Sequence, residues 1–136
     1  MNVTKNIPKA RQNNISQDNA EQILWQDKKR PFLGLAISFT KYQLFENRIT
    51  RETGIFSLRL DEVQLIRITD SSMRQSVLQL MFNVGDIRLY SSDPSEGTFI
   101  IRSVKYPKKV MRDIMNQVEE ERRQFNYTVM DIGYFN

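Results

Sequence analysis

The apolar period of the sequence changes once, at Pro107, and that change limits the folds open to the chain. Beyond it no Pro or Gly occurs until Gly133. Val110, Met111, Ile114, Met115 and Val118, with Phe125 further on, recur every three or four residues. This spacing lays them along one stripe of an amphipathic helix, with Pro107 at a favourable first position. The stripe predicts a helix over 107–125, roughly 28 Å long at ~1.5 Å per residue. Glu119 and Arg123, four apart on the other side, form a weakly helpful pair. Upstream the texture differs. Short β-branched and aromatic runs, at about 22–26, 36–45, 48–52, 56–62, 64–73, 86–91 and 98–103, alternate with turn chemistry. Glu46-Asn47 and Thr53-Gly54 suit tight hairpin turns, and Asp93-Pro94-Ser95-Glu96-Gly97 makes a loop between the last two runs. Val77, Leu78, Leu80, Met81 and Phe82 are too short a cluster to have a period, and a helical turn or buried bend fits them. Strands first and one helix last give an α+β fold: a bent antiparallel sheet or barrel of about seven strands, capped by a C-terminal helix.

A chain of 136 residues is one domain's worth, long enough for a core without staples. It has no cysteine and no histidine, which removes disulfides, thiolate chemistry, and the commonest general base and metal ligand. A mean hydropathy of −0.52 and no apolar stretch of ~18–20 residues predict a soluble chain without a spanning helix. The polar start carries no secretory signal, so the expected location is cytoplasmic, extending to peripheral contact at the inner face of the cell membrane. Residues 1–20, rich in Asn, Gln, Ser and Lys, are expected to be a flexible polar arm. Residues 21–125 form the domain and 126–136 an apolar C-terminal tail. The net charge of +4 sits mainly at the N-terminal end: residues 1–30 carry six basic and three acidic side chains, whereas 31–104 carry eight of each. Such an excess suits an anionic lipid or nucleic-acid partner, and equally a plain solvated surface.

The order of these elements is that of a pleckstrin-homology (PH) domain, and residues 42–93 sharpen the match. Tyr42, Leu44, Arg48 and Ile49 fill an opening pattern, followed by the turn Gly54-Ile55-Phe56-Ser57. Val63, Leu65, Ile68 and Asp70 come next, then Gln75-Ser76-Val77-Leu78 and Val84-Gly85. With Leu24-Trp25 upstream and Tyr106-Pro107 downstream, residues 22–120 resemble the second bacterial group of PH domains, often found beside membrane-spanning segments. Phe45, Gln64 and Lys108-Lys109 depart from that pattern, the last pair replacing the usual acidic residues. The resemblance implies the fold and a non-catalytic binding module. It implies no ligand.

Lys28-Lys29-Arg30, followed by Pro31-Phe32-Leu33, falls in the loop between the first two strands. By the resemblance, that loop carries cations toward phosphorylated head groups, with Phe32 and Leu33 as a shallow wedge. The same run also reads as solvated cations at a strand end. Lys108 and Lys109 oppose the dipole of the helix they open, which fits either an anionic partner or tolerated surface charge. Arg48, Arg51, Arg67, Arg88 and Arg102 lie among Asp61, Glu62, Asp70 and Asp86 as expected cross-strand ion pairs. Trp25 and Tyr42 could stack on bases, but without interleaved cations they read as core. In the tail, Thr128, Met130, Ile132 and Tyr134 alternate as an extended strand would. Tyr127, Met130, Ile132, Tyr134 and Phe135 are therefore candidate contacts to the same domain or to a second copy in a homo-oligomer. No metal-loop spacing, glycine-rich phosphate loop or cofactor motif is present. The function expected is binding without catalysis, through peripheral membrane association or protein–protein assembly. Nucleic-acid binding on the basic surface is the alternative, and an enzyme the third reading.

Overall fold

The computed structural model describes residues 22–30, 39–95 and 97–134. Four strands make the first sheet, in the order of the chain: β1 Trp25–Lys28, β2 Thr40–Leu44, β3 Arg48–Thr53 and β4 Arg59–Gln64. A single 3-10 turn, Leu65–Arg67, leads into the second sheet, β5 Ile68–Arg74, β6 Val84–Ser91 and β7 Thr98–Lys105. All pairings are antiparallel. Helix α1, Val77–Met81, joins β5 to β6, and helix α2, Pro107–Tyr134, follows β7. The expected α+β, PH-like plan is therefore present, with its bent sheet resolved into two.

Alternation decides which faces meet. In β6, Ile87 and Leu89 are buried while Arg88 and Tyr90 are exposed, the period-2 signature of a sheet with one dry face. The dry faces of both sheets enclose Tyr42, Leu44, Ile49, Leu65, Ile68, Ile101 and Val104. Val110, Ile114 and Val118 of α2 close the core, whereas Arg112, Glu119 and Arg123 stay in solvent. The sheets also meet at β1 and β7, where Arg30 N–H donates to the Ser103 carbonyl at 2.8 Å and Lys105 N–H to Asp27 Oδ2 at 3.0 Å. Gly85 permits the close approach under α2: a Cβ there would lie 2.8 Å from Pro107 Cγ and 2.7 Å from Gln75 Cγ.

Several expectations need correction. The Glu46-Asn47 turn forms, closed by Phe45 N–H to the Arg48 carbonyl at 2.9 Å. Thr53-Gly54 is not a tight turn. Thr53 pairs with Arg59, so Gly54–Leu58 is a loop, and the strand expected from residue 56 begins at Arg59. Gly54 sets this course with φ +134°, and the Ser57 carbonyl oxygen would be 1.8 Å from any Cβ there. The 77–82 cluster is helical, but no residue of α1 is buried, so it is not a buried bend. Finally, α2 runs past the expected end at 125 to Tyr134. Thr128 and its neighbours are helical, not extended, and the Thr128 hydroxyl donates back to the Gln124 carbonyl at 3.0 Å. The reason is that Phe125, Val129 and Ile132 also keep helical spacing, continuing the line of Val118. Among the described side chains beyond Arg122, Phe125, Tyr127, Val129, Met130 and Ile132 are all exposed, and none of them joins the core. The expected arm 1–20, Phe32, Leu33 and Phe135, and the Tyr134 side chain, lie outside the described residues.

Candidate binding surface

Strand register brings four chain segments to one end of the first sheet. Lys28 pairs with Lys41, Thr40 with Thr53, and Thr53 with Arg59, so the β1–β2 and β3–β4 connections leave from the same edge. The Gly54–Leu58 loop projects there, with Phe56 99% exposed and Ile55 and Leu58 largely so. Gly54 N–H donates to the Phe39 carbonyl at 3.3 Å, which sets a fourth exposed apolar residue beside the loop. Folding gains nothing from these four side chains left in water, which makes the loop a candidate contact.

Four cations share one cleft. Lys29, Arg51, Arg59 and Arg102 line a cleft of about 250 Å³ with Thr40, Tyr42 and Asp61. Arg51 is committed to the fold. It donates to Asp61 Oδ2 from Nη2 at 2.8 Å and to the Ile100 carbonyl from Nη1 at 3.3 Å, and lies 5.1 Å over the Phe99 ring. Asp61 also takes Arg59 Nε at 3.1 Å. Its hydrogen bond from Arg51, helped by Arg59, holds its carboxyl below the usual carboxylate range despite some desolvation. Tyr42 is 1% exposed, and burial pushes its phenol up, so it belongs to the core and stacks on no ligand.

The expected cationic run divides. Arg30 Nη1 is 2.6 Å from Asp27 Oδ1 and half-buried, a pair that ties β1 down, while Lys28 is exposed. The cross-strand pairs expected for Arg48, Arg51 and Arg102 form with Glu62, Asp61 and Asp86, at 3.6, 2.8 and 3.8 Å. Arg67 instead reaches Asp93 at 2.8 Å. On α2, Glu119 pairs with Arg122 and Glu120 with Arg123, not Glu119 with Arg123.

Lys108 and Lys109 belong to a second locality. With Arg112 they rim a cavity of about 380 Å³ whose walls include Leu80, Tyr106 and Pro107. The two localities are joined through Ser103, whose carbonyl accepts from Arg30 N–H and whose hydroxyl oxygen accepts from Gln79 Nε2 at 3.4 Å. From the sequence, Phe32 and Leu33 are the apolar neighbours of the first cations, and both lie outside the described residues; Ile55, Phe56 and Leu58 are not assigned that role there. Gly54 followed by Ile55-Phe56 was the available signal: large apolar residues straight after a glycine break point outward from a turn as readily as along a strand.

No helix among the described residues is long and apolar enough to cross a membrane. No curated protein matches the sequence. A family model described as the bacterial PH domain matches residues 31–118, a span that holds β2 to β7 and the docked part of α2. PH-like domains are generally non-catalytic binding modules. Since that match covers well over half of its length, the chain belongs to the bacterial PH domain family.

Proposed function

We propose that the domain is a non-catalytic module that docks peripherally on an anionic membrane surface through the β3–β4 loop. The observation that carries this reading is Phe56, fully exposed at a loop tip whose strand ends also hold Lys28, Lys29 and Arg59. Moving Phe, Ile or Leu out of water is worth roughly 1.5–3 kcal/mol each, and each Lys or Arg beside an anionic surface adds about 1 kcal/mol. Neither group alone gives firm binding; together they suit a reversible interfacial contact. Co-sedimentation with vesicles of equal parts phosphatidylcholine and phosphatidylglycerol tests it, against phosphatidylcholine alone and a duplex-DNA control. Binding to the anionic vesicles, lost with Phe56→Ser, is the expected result. Retention on DNA but on neither vesicle would hand the surface to nucleic acid.

The projecting end of α2 favours a second reading, protein–protein assembly. Phe125, Val129 and Ile132 form an exposed stripe in line with the docked face, and a second copy offers the same stripe. Light scattering over a concentration series distinguishes a monomer from that assembly.

A further inference from the structure

α1 reverses the usual amphipathic arrangement. Its polar side chain points inward: Gln79 Nε2 donates to Asp86 Oδ1 at 3.2 Å and to Ser103 Oγ at 3.4 Å. Its apolar side chains, Val77, Leu78, Leu80 and Met81, are 58–81% exposed. A helix of five residues has no stability of its own, so the fold is holding this one in place. Ser76 and Gln79 form a reciprocal capping box at its start. At its end Asn83 takes φ +53°, and its carbonyl accepts from Tyr106 N–H at 2.9 Å. Asn83, Ser103 and Tyr106, the non-glycine residues with positive φ among those described, all stand around this knob. The chain thus uses uncommon backbone to fix four apolar side chains in water.

The charge beside the knob indicates what covers it. Lys108 and Arg112 have no acidic partner among the described residues, whereas Lys109 reaches Asp113 at 2.5 Å. Lys108 in the first turn of α2 opposes its dipole and stands four residues from the like-charged Arg112, so helix stability does not account for it. These cations rim the cavity that Leu80, Tyr106 and Pro107 wall. The occupant must take up apolar side chains and place negative charge at their rim. A protein partner of ordinary size would need about 20–30 residues on each side, far more than this knob and rim provide. A bilayer interface sets no such demand, and it puts phosphates directly above acyl chain.

We propose that α1 is a second insertion element, entering an anionic bilayer interface with Lys108 and Arg112 on its phosphates. This rests on the membrane reading of the β3–β4 loop and extends it to a two-pronged contact. The basic run stands between the prongs: Arg30 is bonded to Ser103 on the α1 side, and Lys29 N–H to the Thr40 carbonyl on the loop side. Two weak contacts on one surface reinforce each other because the second forms intramolecularly.

The absence of cysteine gives a clean test, because an introduced Cys can be labelled alone. Met81→Cys and Phe56→Cys, each carrying an environment-sensitive fluorophore, are titrated with vesicles of equal parts phosphatidylcholine and phosphatidylglycerol. Both emissions are expected to shift to the blue, and Leu78→Gln with Met81→Gln should weaken vesicle binding roughly tenfold or more without lowering Tm. A shift at residue 56 but not at 81 overturns the second prong and leaves the membrane reading standing. Neither shift, with no co-sedimentation, overturns both. A shift at 81 that follows protein concentration without lipid assigns α1 to a second copy instead.

Discussion

The hydroxyl oxygen of Tyr42, in β2, accepts a hydrogen bond from the backbone N–H of Arg102, in β7, at 3.0 Å. This bond crosses from one sheet to the other inside the core, sixty residues apart in sequence. Tyr42→Phe keeps the packing and removes the acceptor. A loss of about 1–2 kcal/mol is expected, read as a lower urea midpoint at unchanged slope. A variant as stable as the wild type would mean the seam is held by packing alone.

The helix is docked by three residues at four-residue spacing, of which Ile114 is 0% exposed. Ile114→Ala should cost about 2–5 kcal/mol and Ile114→Asp should prevent folding, since an unpaired carboxylate would enter the core. Circular dichroism and thermal melts report both. A cooperative melt at the wild-type temperature for the Asp variant is incompatible with a docked α2.

Gly54→Ala tests the loop geometry. At φ +134° with the Ser57 carbonyl oxygen 1.8 Å from the added Cβ, the loop must rearrange. We expect a stability loss of about 1–3 kcal/mol and weaker binding to anionic vesicles, because the Phe56 tip is displaced. Unchanged vesicle affinity would show that the contact does not depend on this tip.

Acid should weaken the domain partly through Asp61. Its folded pKa lies below the ordinary 3.8, because Arg51 first and Arg59 second favour the charged form. Its contribution is therefore complete above 3.8 and is lost as pH falls through the folded value. Asp61→Asn should lower stability at neutral pH and flatten the acid limb of the stability curve. An acid limb identical in the variant would assign the slope to other carboxylates.

The architecture was legible because burial writes itself into periodicity. Val110, Ile114 and Val118 lie on a 3.6-residue stripe and Ile87 and Leu89 alternate, patterns that only packing against another layer makes favourable. The surface was less legible, since an exposed apolar residue looks in sequence like a buried one. Phe56 stands both in a strand-like run and in the turn that the resemblance marks, and the 77–82 cluster fits a helical turn as well as a buried bend, because composition alone carries no direction. Arg30 counted as a free cation until the chain brought Asp27 to 2.6 Å. The end of α2 was lost for a different reason: Met130, Ile132 and Tyr134 fit period two, while Phe125, Val129 and Ile132 fit period 3.6. Helix continuity, with no breaker before Gly133, decides between them.

That continuity yields a prediction about the projecting turns. Val129 and Ile132 are 52% and 59% exposed and lie beyond Arg122, whose guanidinium bonds to the Ile68 carbonyl. Replacing both with Glu removes no core contact, so stability should change by no more than about 0.5 kcal/mol. The effect should appear in association. An apolar stripe at i, i+3 spacing on a protruding helix is self-complementary about a two-fold axis, and four carboxylates brought together there repel. Wild-type protein is therefore expected to gain mass with concentration in light scattering, and the double-Glu variant to stay monomeric. A wild type that is monomeric throughout removes self-association through α2, and a variant that still gains mass moves the interface elsewhere, with α1 the next surface to test.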